Sequence, residues 1–359
     1  MIEPLRICLI ASSRFPVCEP FMGGLEAHTH ALAAALMRRG HQVSLFAAPG
    51  SDPALGVTSL PRATFTSSPA ARADVASTPQ AWMQEHHAYL DLMLGIAQGR
   101  HGPFDVVHNN SLHHLPVAMS RVVDVPVVTT LHTPPVAWLE SAVAFADAQS
   151  KFVAVSGSVA RSWSHVVDSV TIHNGVDTRF WRPGPGGAGA VWSGRIVPEK
   201  APHEAIDAAV GADTALALAG PIHDHSYFDK EIRPRLGERV RYLGHLKRAD
   251  LRRALGAASV AIVTPEWDEP FGLVAVEAMA CGTPVAAYDR GGLREIIDHK
   301  SGVLVPAGDI EALGAALRDA ARRDRENVRR RACQDFSLDR MVDLYERTYL
   351  GMAGLVGAA

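Results

Sequence analysis

Glu266-Trp267-Asp268-Glu269-Pro270-Phe271-Gly272-Leu273-Val274-Ala275-Val276-Glu277-Ala278-Met279-Ala280-Cys281-Gly282-Thr283-Pro284-Val285 is the stretch from which the rest of the chain is read. From Leu273 to Cys281 it has the pattern of a short helix, apolar on nearly every side, and Val285 to Tyr288 then reads as an apolar strand. A helix apolar all round is normally buried. One carboxylate, Glu277, interrupts it, and a buried carboxylate is costly unless hydroxyls or cations meet it. A second carboxylate, Glu269, stands eight residues earlier, just before the helix begins. Two carboxylates at one mouth of a buried helix suggest a site that grips a polyhydroxylated ligand.

Working outward, the same alternation of strand and helix fills the chain. Leu5 to Ala11 reads as a buried strand, and Leu25 to Arg39 follows with helical spacing, stopped by Gly40. Val43 to Ala47, Asp105 to His108, Val125 to Leu131, Phe152 to Val155 and Val170 to Ile172 are further strands. Residues 50 to 80, rich in Ser, Pro and Ala, read as irregular. The Gly/Pro cluster Arg182-Pro183-Gly184-Pro185-Gly186-Gly187 marks a linker. Beyond it the alternation restarts, with strands at Val191 to Gly194, Ala215 to Ala219, Val240 to Leu243, Val260 to Thr264, Val285 to Tyr288 and Val303 to Val305. Apolar strands separated by helices imply parallel sheets covered on both faces. The fold class is therefore α/β, as two doubly wound domains in tandem: residues 1–180, residues 181–337, and a last amphipathic helix within 338–359. Ligands of such sheets lie beyond the carboxyl ends of the strands, so chemistry is expected in the cleft between the domains.

Composition narrows the function classes. The chain has 359 residues, enough for two ordinary domains, with 47% hydrophobic and 20% charged residues. A formal net charge of -3 argues against general nucleic-acid binding. The run Arg318 to Arg331 is interleaved with acids and reads as a solvated helix face, with a membrane- or phosphate-contacting patch as the alternative. Cys8, Cys18, Cys281 and Cys333 lack metal or redox spacing and read as reduced thiols of a cytoplasmic protein. The N-terminus runs straight into a strand pattern, so no secretory leader is expected, and no apolar run is long enough to span a membrane.

Three glycine-bearing loops precede helices: Gly23-Gly24, Phe271-Gly272 and Gly291-Gly292. Glycine lets backbone N–H groups approach an anion, and helix N-termini favour negative charge; each loop also reads as an ordinary tight turn. The first is not a dinucleotide fingerprint, since Ser12-Ser13-Arg14-Phe15-Pro16 follows the first strand. Ser193-Gly194-Arg195-Ile196-Val197-Pro198-Glu199-Lys200 ends the first strand of the second domain, and its two cations suit a diphosphate. His132 ends the strand at Leu131, on the functional edge. His113-His114 and His223-Asp224-His225 lack a third metal ligand at suitable spacing and read as loop histidines.

Glu269 and Glu277, set in Glu-Pro-Phe-Gly-Leu-Val-Ala-Val-Glu-Ala-Met-Ala-Cys-Gly-Thr-Pro-Val, resemble the signature of the retaining family 4 glycosyltransferases, which have the GT-B fold of two Rossmann-like domains facing across a cleft. The resemblance extends to Gly23-Gly24-Leu25-Glu26, the segment around His132, Asn174-Gly175-Val176-Asp177, Gly194-Arg195 with Lys200, and the closing helix. It implies that Glu277 binds the donor ribose and Glu269 the hydroxyls of the transferred sugar. Arg195 and Lys200 would neutralise the departing diphosphate, and His132 would lie over the reacting sugar. Backbone groups of Gly23, Gly24, Gly194, Phe271, Gly272 and Leu273 would face phosphate and sugar, and those of Gly244, His245 and Leu246 the base. The implied reaction moves a hexose-type sugar from a nucleoside diphosphate sugar, UDP-linked first and GDP-linked next, to a hydroxyl acceptor. It implies no cofactor and no metal. One departure is visible: where the family often has Gly after the lysine, this chain has Ala201-Pro202-His203, which puts the helix start and its amide contacts in question.

Three alternatives remain: a sugar-nucleotide epimerase, which can use the same two-domain fold, a non-catalytic nucleotide-sugar binding protein, and an NAD-dependent dehydrogenase, which fits the α/β pattern. The twin glutamates argue against the first, the retained cations and His132 against the second, and the missing fingerprint against the third. The acceptor, whether polysaccharide, lipid or small molecule, is not encoded in a readable motif. The first domain shows no basic amphipathic patch, which favours a soluble acceptor or at most a loose peripheral membrane contact.

Overall fold

In the computed structural model, which describes residues 3–60, 65–76 and 78–354, both series of apolar strands form parallel sheets. The first contains β1 (Arg6–Ile10), β2 (Gln42–Ala47), β3 (Val57–Ser59), β4 (Val106–Asn109), β5 (Val127–Leu131), β6 (Lys151–Ala154) and β7 (Val170–Thr171), in the order β3-β2-β1-β4-β5-β6-β7. The second contains β8 (Ala190–Ser193), β9 (Leu216–Ala219), β10 (Val240–Tyr242), β11 (Val260–Val263), β12 (Val285–Tyr288) and β13 (Gly302–Val305), in the order β10-β9-β8-β11-β12-β13. Strands such as Val260-Ala261-Ile262-Val263 and Val285-Ala286-Ala287-Tyr288 are buried throughout, as a sheet covered on both faces requires. In each sheet the strand order reverses beside the first strand, between β1 and β4 and between β8 and β11. Ile10 pairs with both Phe46 and Asn109, so these strand ends are level and share one carboxyl edge.

Residues 50 to 80, expected to be irregular, hold an edge strand, β3, and a short helix, Pro69–Arg72; residues 61–64 and 77 of that stretch lie outside the described residues. The segment Val57-Thr58-Ser59 escapes a periodicity reading because it is short and mostly exposed, so a single apolar residue is all it needs.

The Arg-rich run is a solvated face only in part: Arg318, Arg322 and Arg330 are exposed, but three others turn inward. Arg325 donates to the carbonyls of Ala258, Gly256 and Cys281 and to Thr283 Oγ1. Arg329 donates to Trp181 O at 2.7 Å, to Thr178 O at 2.9 Å and to Ala280 O. Arg331 donates to Ile296 O and Glu295 O. Guanidinium groups, with five N–H donors, here satisfy carbonyls at loop and helix ends.

The closing helix Leu338–Met352 returns to the first domain. Met341, Val342, Tyr345 and Tyr349 share a buried cluster with Leu9, Leu32 and Leu36. Tyr349 Oη bonds to His108 Nδ1 at 2.7 Å, and Tyr345 Oη to Thr130 Oγ1 at 3.0 Å. Arg39 and His41 both reach Glu346, at 2.6 and 2.9 Å. A second cluster crosses the domain junction from Leu131 and Val159 through Trp181 and Phe271 to Phe336. Polar contacts fasten the same junction: Ser156 Oγ donates to Pro270 O at 2.6 Å, and Glu295 accepts from Gly157 N, Ser158 N and His173.

Candidate active site

A cavity of about 350 Å³ lies between the two carboxyl edges. It is walled by the segments that follow β1, β4, β5 and β6 on one side and β8, β9, β10 and β11 on the other. Every residue to which the family resemblance gave a catalytic or donor-binding role lines it except Gly244: Gly23, Gly24, His132, Gly194, Arg195, Lys200, His245, Leu246, Glu269, Phe271, Gly272, Leu273 and Glu277. The Gly244 carbonyl instead accepts the Gly220 N–H at 3.0 Å, a contact that ties the loops after β9 and β10 together. Gly291-Gly292 is also absent from the lining. It packs on the Glu269 loop, where Gly292 N donates to Glu269 O at 2.7 Å. Gly291 has φ +57, and a Cβ there would stand 2.3 Å from Glu269 O, so only glycine allows this support.

Two helix N-termini meet in the cavity. The helix Gly24–Arg38 starts from Gly23 and the helix Leu273–Ala280 from Gly272, and neither has a side-chain cap. Gly272, at φ +109, takes a conformation open to glycine and turns the chain from Phe271 into the helix. A Cβ on Gly24 would be 3.3 Å from Leu273 Cδ1, so the two N-termini face each other at close range. Uncapped N–H groups with the positive ends of two helix dipoles form an anion-binding arrangement.

The charged groups surround these N-termini. Glu277 is half-buried in the helix Leu273–Ala280, and its carboxylate has no hydrogen-bond partner among the described residues. Burial pushes its carboxyl up to about 7, with Arg248 pulling the other way. Arg248 was not singled out from the sequence. Its guanidinium stacks on Phe180 at 4.2 Å and stands 3.6 Å from Glu19 Oε1. Glu26, in the first turn of the helix Gly24–Arg38, is another such residue; burial raises its carboxyl and Arg195, across the cleft, acts against that. The acid of the Gly23-Gly24-Leu25-Glu26 motif carried the signal for Glu26, whereas nothing local marks Arg248, whose position depends on the return of the chain after β10.

Lys200 was expected to serve a diphosphate, but its Nζ lies 2.5 Å from Glu269 Oε2 and 5.0 Å from the Trp267 ring centre. Two groups that the sequence assigned to different parts of a ligand are thus ion-paired with each other, because a partly buried cation and carboxylate on facing loops neutralise one another. The pairing is fixed from behind by Thr264, whose hydroxyl lies 3.0 Å from the carbonyls of Lys200 and Ala201. The helix after Lys200 begins at Pro202, and Ala201 takes the left-handed conformation (φ 41, ψ 50) where the family often has glycine.

His132 is held in a defined tautomer. Thr29 Oγ1 donates to Leu25 O and so accepts from Asn110 Nδ2, which turns Asn110 Oδ1 toward His132 Nε2. Nε2 must therefore carry the proton, leaving Nδ1 as an acceptor. Burial, followed by repulsion from His28 and His108, holds His132 well below the ordinary histidine range, so the ring is neutral at pH 7. His28 meets it edge-on at 5.0 Å. His245 Nε2 donates to Phe21 O at 2.8 Å, across the domain boundary.

A pair of Rossmann-like sheets with an anion-binding cleft between them defines a GT-B protein. Residues 22–180 match the model of Glycosyltransferase Family 4, and residues 187–334 that of Glycosyl transferases group 1. The chain belongs to this family of GT-B glycosyltransferases and is an enzyme that uses a sugar nucleotide. It is 29% identical to a glycogen synthase of Mycobacterium tuberculosis, over 96% of this chain and 94% of that one. It is also 29% identical to a phosphatidyl-myo-inositol mannosyltransferase of Mycobacterium leprae, over 89% and 88% of the two chains. Among solved structures, the sucrose-phosphate synthase of Thermosynechococcus elongatus superposes with a TM-score of 0.76 at 22% identity, covering 98% of this chain and 99% of that one. Anabaena HepE in complex with UDP and glucose superposes with a TM-score of 0.75 at 20% identity, covering 96% and 99%. Among the described residues, no helix is long and apolar enough to cross a membrane.

Proposed function

We propose that this glycosyltransferase transfers a hexosyl unit from a nucleoside diphosphate hexose to a hydroxyl acceptor with retention of configuration, and needs no metal to do so. The observation that carries the reading is the convergence of two uncapped helix N-termini, Arg195 and Lys200, and the carboxylates Glu269 and Glu277 in one cavity. In this reading the diphosphate lies at the N-termini of Gly24–Arg38 and Leu273–Ala280, where N–H groups and Arg195 stabilise the charge that grows on the leaving oxygen. Each such donor contributes a few kcal/mol. Lys200 shares itself between Glu269 and the phosphate, so Glu269 is oriented by the same cation that serves the leaving group. Glu277 accepts from the ribose hydroxyls. His132, neutral and with Nδ1 free to accept, sits against the sugar without adding positive charge near the oxocarbenium-like centre. Front-face attack, in which the leaving phosphate takes the acceptor proton, is the course that the resemblance to retaining family 4 glycosyltransferases implies. UDP is the first choice of nucleotide, supported by the bound UDP and glucose of the structurally similar HepE; GDP is the second.

The test is calorimetric titration of the protein with UDP, GDP, ADP and NAD in the presence of a chelator. Tight binding of one nucleoside diphosphate, with turnover of the matching donor falling about a hundred-fold in Arg195→Ala, is the expected result. Wild-type turnover in Arg195→Ala would remove the diphosphate role, and binding of NAD alone would overturn the transferase reading.

A further inference from the structure

A band of aromatic and imidazole rings borders the cleft on the first domain. The helix Gln80–Ala97 supplies Trp82, His86 and Tyr89, the loop after β4 supplies His113 and His114, and the helix Ala137–Ala142 after β5 supplies Trp138. Tyr89 stacks on His113 with ring centres 4.1 Å apart and planes at 15°, His113 on His114 at 4.4 Å, and His114 leans on Trp138 at 4.8 Å. Trp82 stacks on His86 at 5.3 Å and tilts toward Trp138 at 5.5 Å.

One end of the band is rooted in the cleft wall. The buried Tyr89 donates to Ala11 O at 2.9 Å and accepts from Ser13 N at 3.0 Å, which ties it to the loop whose Ser12 and Arg14 line the cavity. Leu112, next to His113, lines it too. The other end is open, with Trp138 59% exposed. The band therefore runs from behind the cavity wall to the surface, and its indoles offer apolar faces with polar edges.

Its charge state narrows what it can hold. Burial and neighbouring imidazoles push His113 down to about 3 and lower His86 and His114. All three rings are thus neutral at pH 7. Arg14, the cation that His113 senses, is paired with Glu85 at 3.3 Å. An anionic headgroup would find a neutral surface here. Nor is the band a metal centre, although His86 supplies the third imidazole that the sequence lacked and the ring nitrogens lie within 4.8 Å of one another. Leu115 N donates to His113 Nδ1 at 3.2 Å, so neutral His113 carries its proton on Nε2 and offers a metal no lone pair. Two imidazoles remain, too few for a stable site.

We propose that this band is the acceptor subsite and that the acceptor is a neutral saccharide chain, an inference that rests on the transferase reading. The apolar C–H faces of pyranose rings lie on the indoles of Trp82 and Trp138. Their hydroxyls meet the accessible edges of the neutral imidazoles between the two indoles. A band that reaches from behind the cavity wall to an exposed tryptophan suits several linked sugars better than one.

The test uses the whole chain in two stages. UDP, GDP and ADP titrations establish the donor site. A panel of α- and β-linked hexose oligomers of increasing length is then titrated by calorimetry and tryptophan fluorescence. Affinity is expected to rise with length, to fall about three- to ten-fold in Trp138→Ala and Trp82→Ala, and to recover in Trp138→Phe, with nucleotide affinity unchanged throughout. Oligomers binding no better than monosaccharides, or Trp138→Ala binding them like the parent, would overturn the inference while nucleotide binding leaves the transferase reading standing. Loss of all nucleotide binding in the parent protein would strike the transferase reading, and the inference with it.

Discussion

Replacing Glu277 by Gln should make this protein more stable and less able to bind its nucleotide. Burial holds the Glu277 carboxyl at about 7, above its ordinary value of 4.5. A carboxyl raised by folding binds its proton more tightly in the folded state than in the unfolded one. The stability it lends is complete below the unfolded value and is lost as pH rises through the folded value. Between 4.5 and about 7 the shift corresponds to roughly 3 kcal/mol. Glu277 is half-buried and partly screened, so about 2 kcal/mol is the better figure at pH 8. Gln has nearly the same shape and no proton to lose, so Glu277→Gln should gain that amount at pH 8 and only about a quarter of it at pH 5. In thermal unfolding this is a rise of about 4–8 °C at pH 8 for a domain of this size. A neutral amide accepts from ribose hydroxyls less strongly than a carboxylate does, so nucleoside diphosphate affinity should fall about ten-fold in the same variant. Paired melting curves at the two pH values, with calorimetry at pH 8, decide the matter. A variant that loses stability at pH 8 would refute the reasoning, because the glutamate would then be compensated by partners in the folded protein; an equal gain at both pH values would refute it too, because the gain would then not come from the titration of the carboxyl.

Two further substitutions test the supports of the site. Ala201→Gly relieves a left-handed residue that is fully buried; after the entropy that glycine costs, a gain of about 0.5–1 kcal/mol in denaturant unfolding is expected, and a loss would mean that Ala201 is not strained. Arg329→Met leaves the carbonyls of Thr178, Trp181 and Ala280 without their donor and should cost about 3 kcal/mol, whereas the exposed Arg330→Ala should change stability by less than about 0.5 kcal/mol. Equal melting temperatures for the two variants would return the arginine run to a solvated face.

Much of the site was legible because its chemistry is local in the chain. Glu269, Gly272 and Glu277 sit within one helix and its entry loop, so spacing alone put them at one mouth. Arg195 and Lys200 follow one strand end. Gly244 stands behind its neighbours His245 and Leu246, which line the cavity, and its carbonyl serves Gly220. The arginine run misled because charge density says nothing of where a helix packs. Three of its seven guanidinium groups, those of Arg325, Arg329 and Arg331, turn inward to carbonyls contributed by segments 35 or more residues away, from Thr178 to Ile296.

The sequence by itself determined two α/β units and a polar clasp at the mouth of a buried helix, since hydrophobic periodicity and glycine placement act over a few residues. Tertiary structure alone decided which groups touch. The Lys200–Glu269 pair, the opposition of Arg195 to Glu26, the tautomer of His132 and the ring band from Tyr89 to Trp138 join segments far apart in the chain. Such contacts depend on how two sheets are set edge to edge, and that follows from packing of the whole junction, which no local pattern encodes.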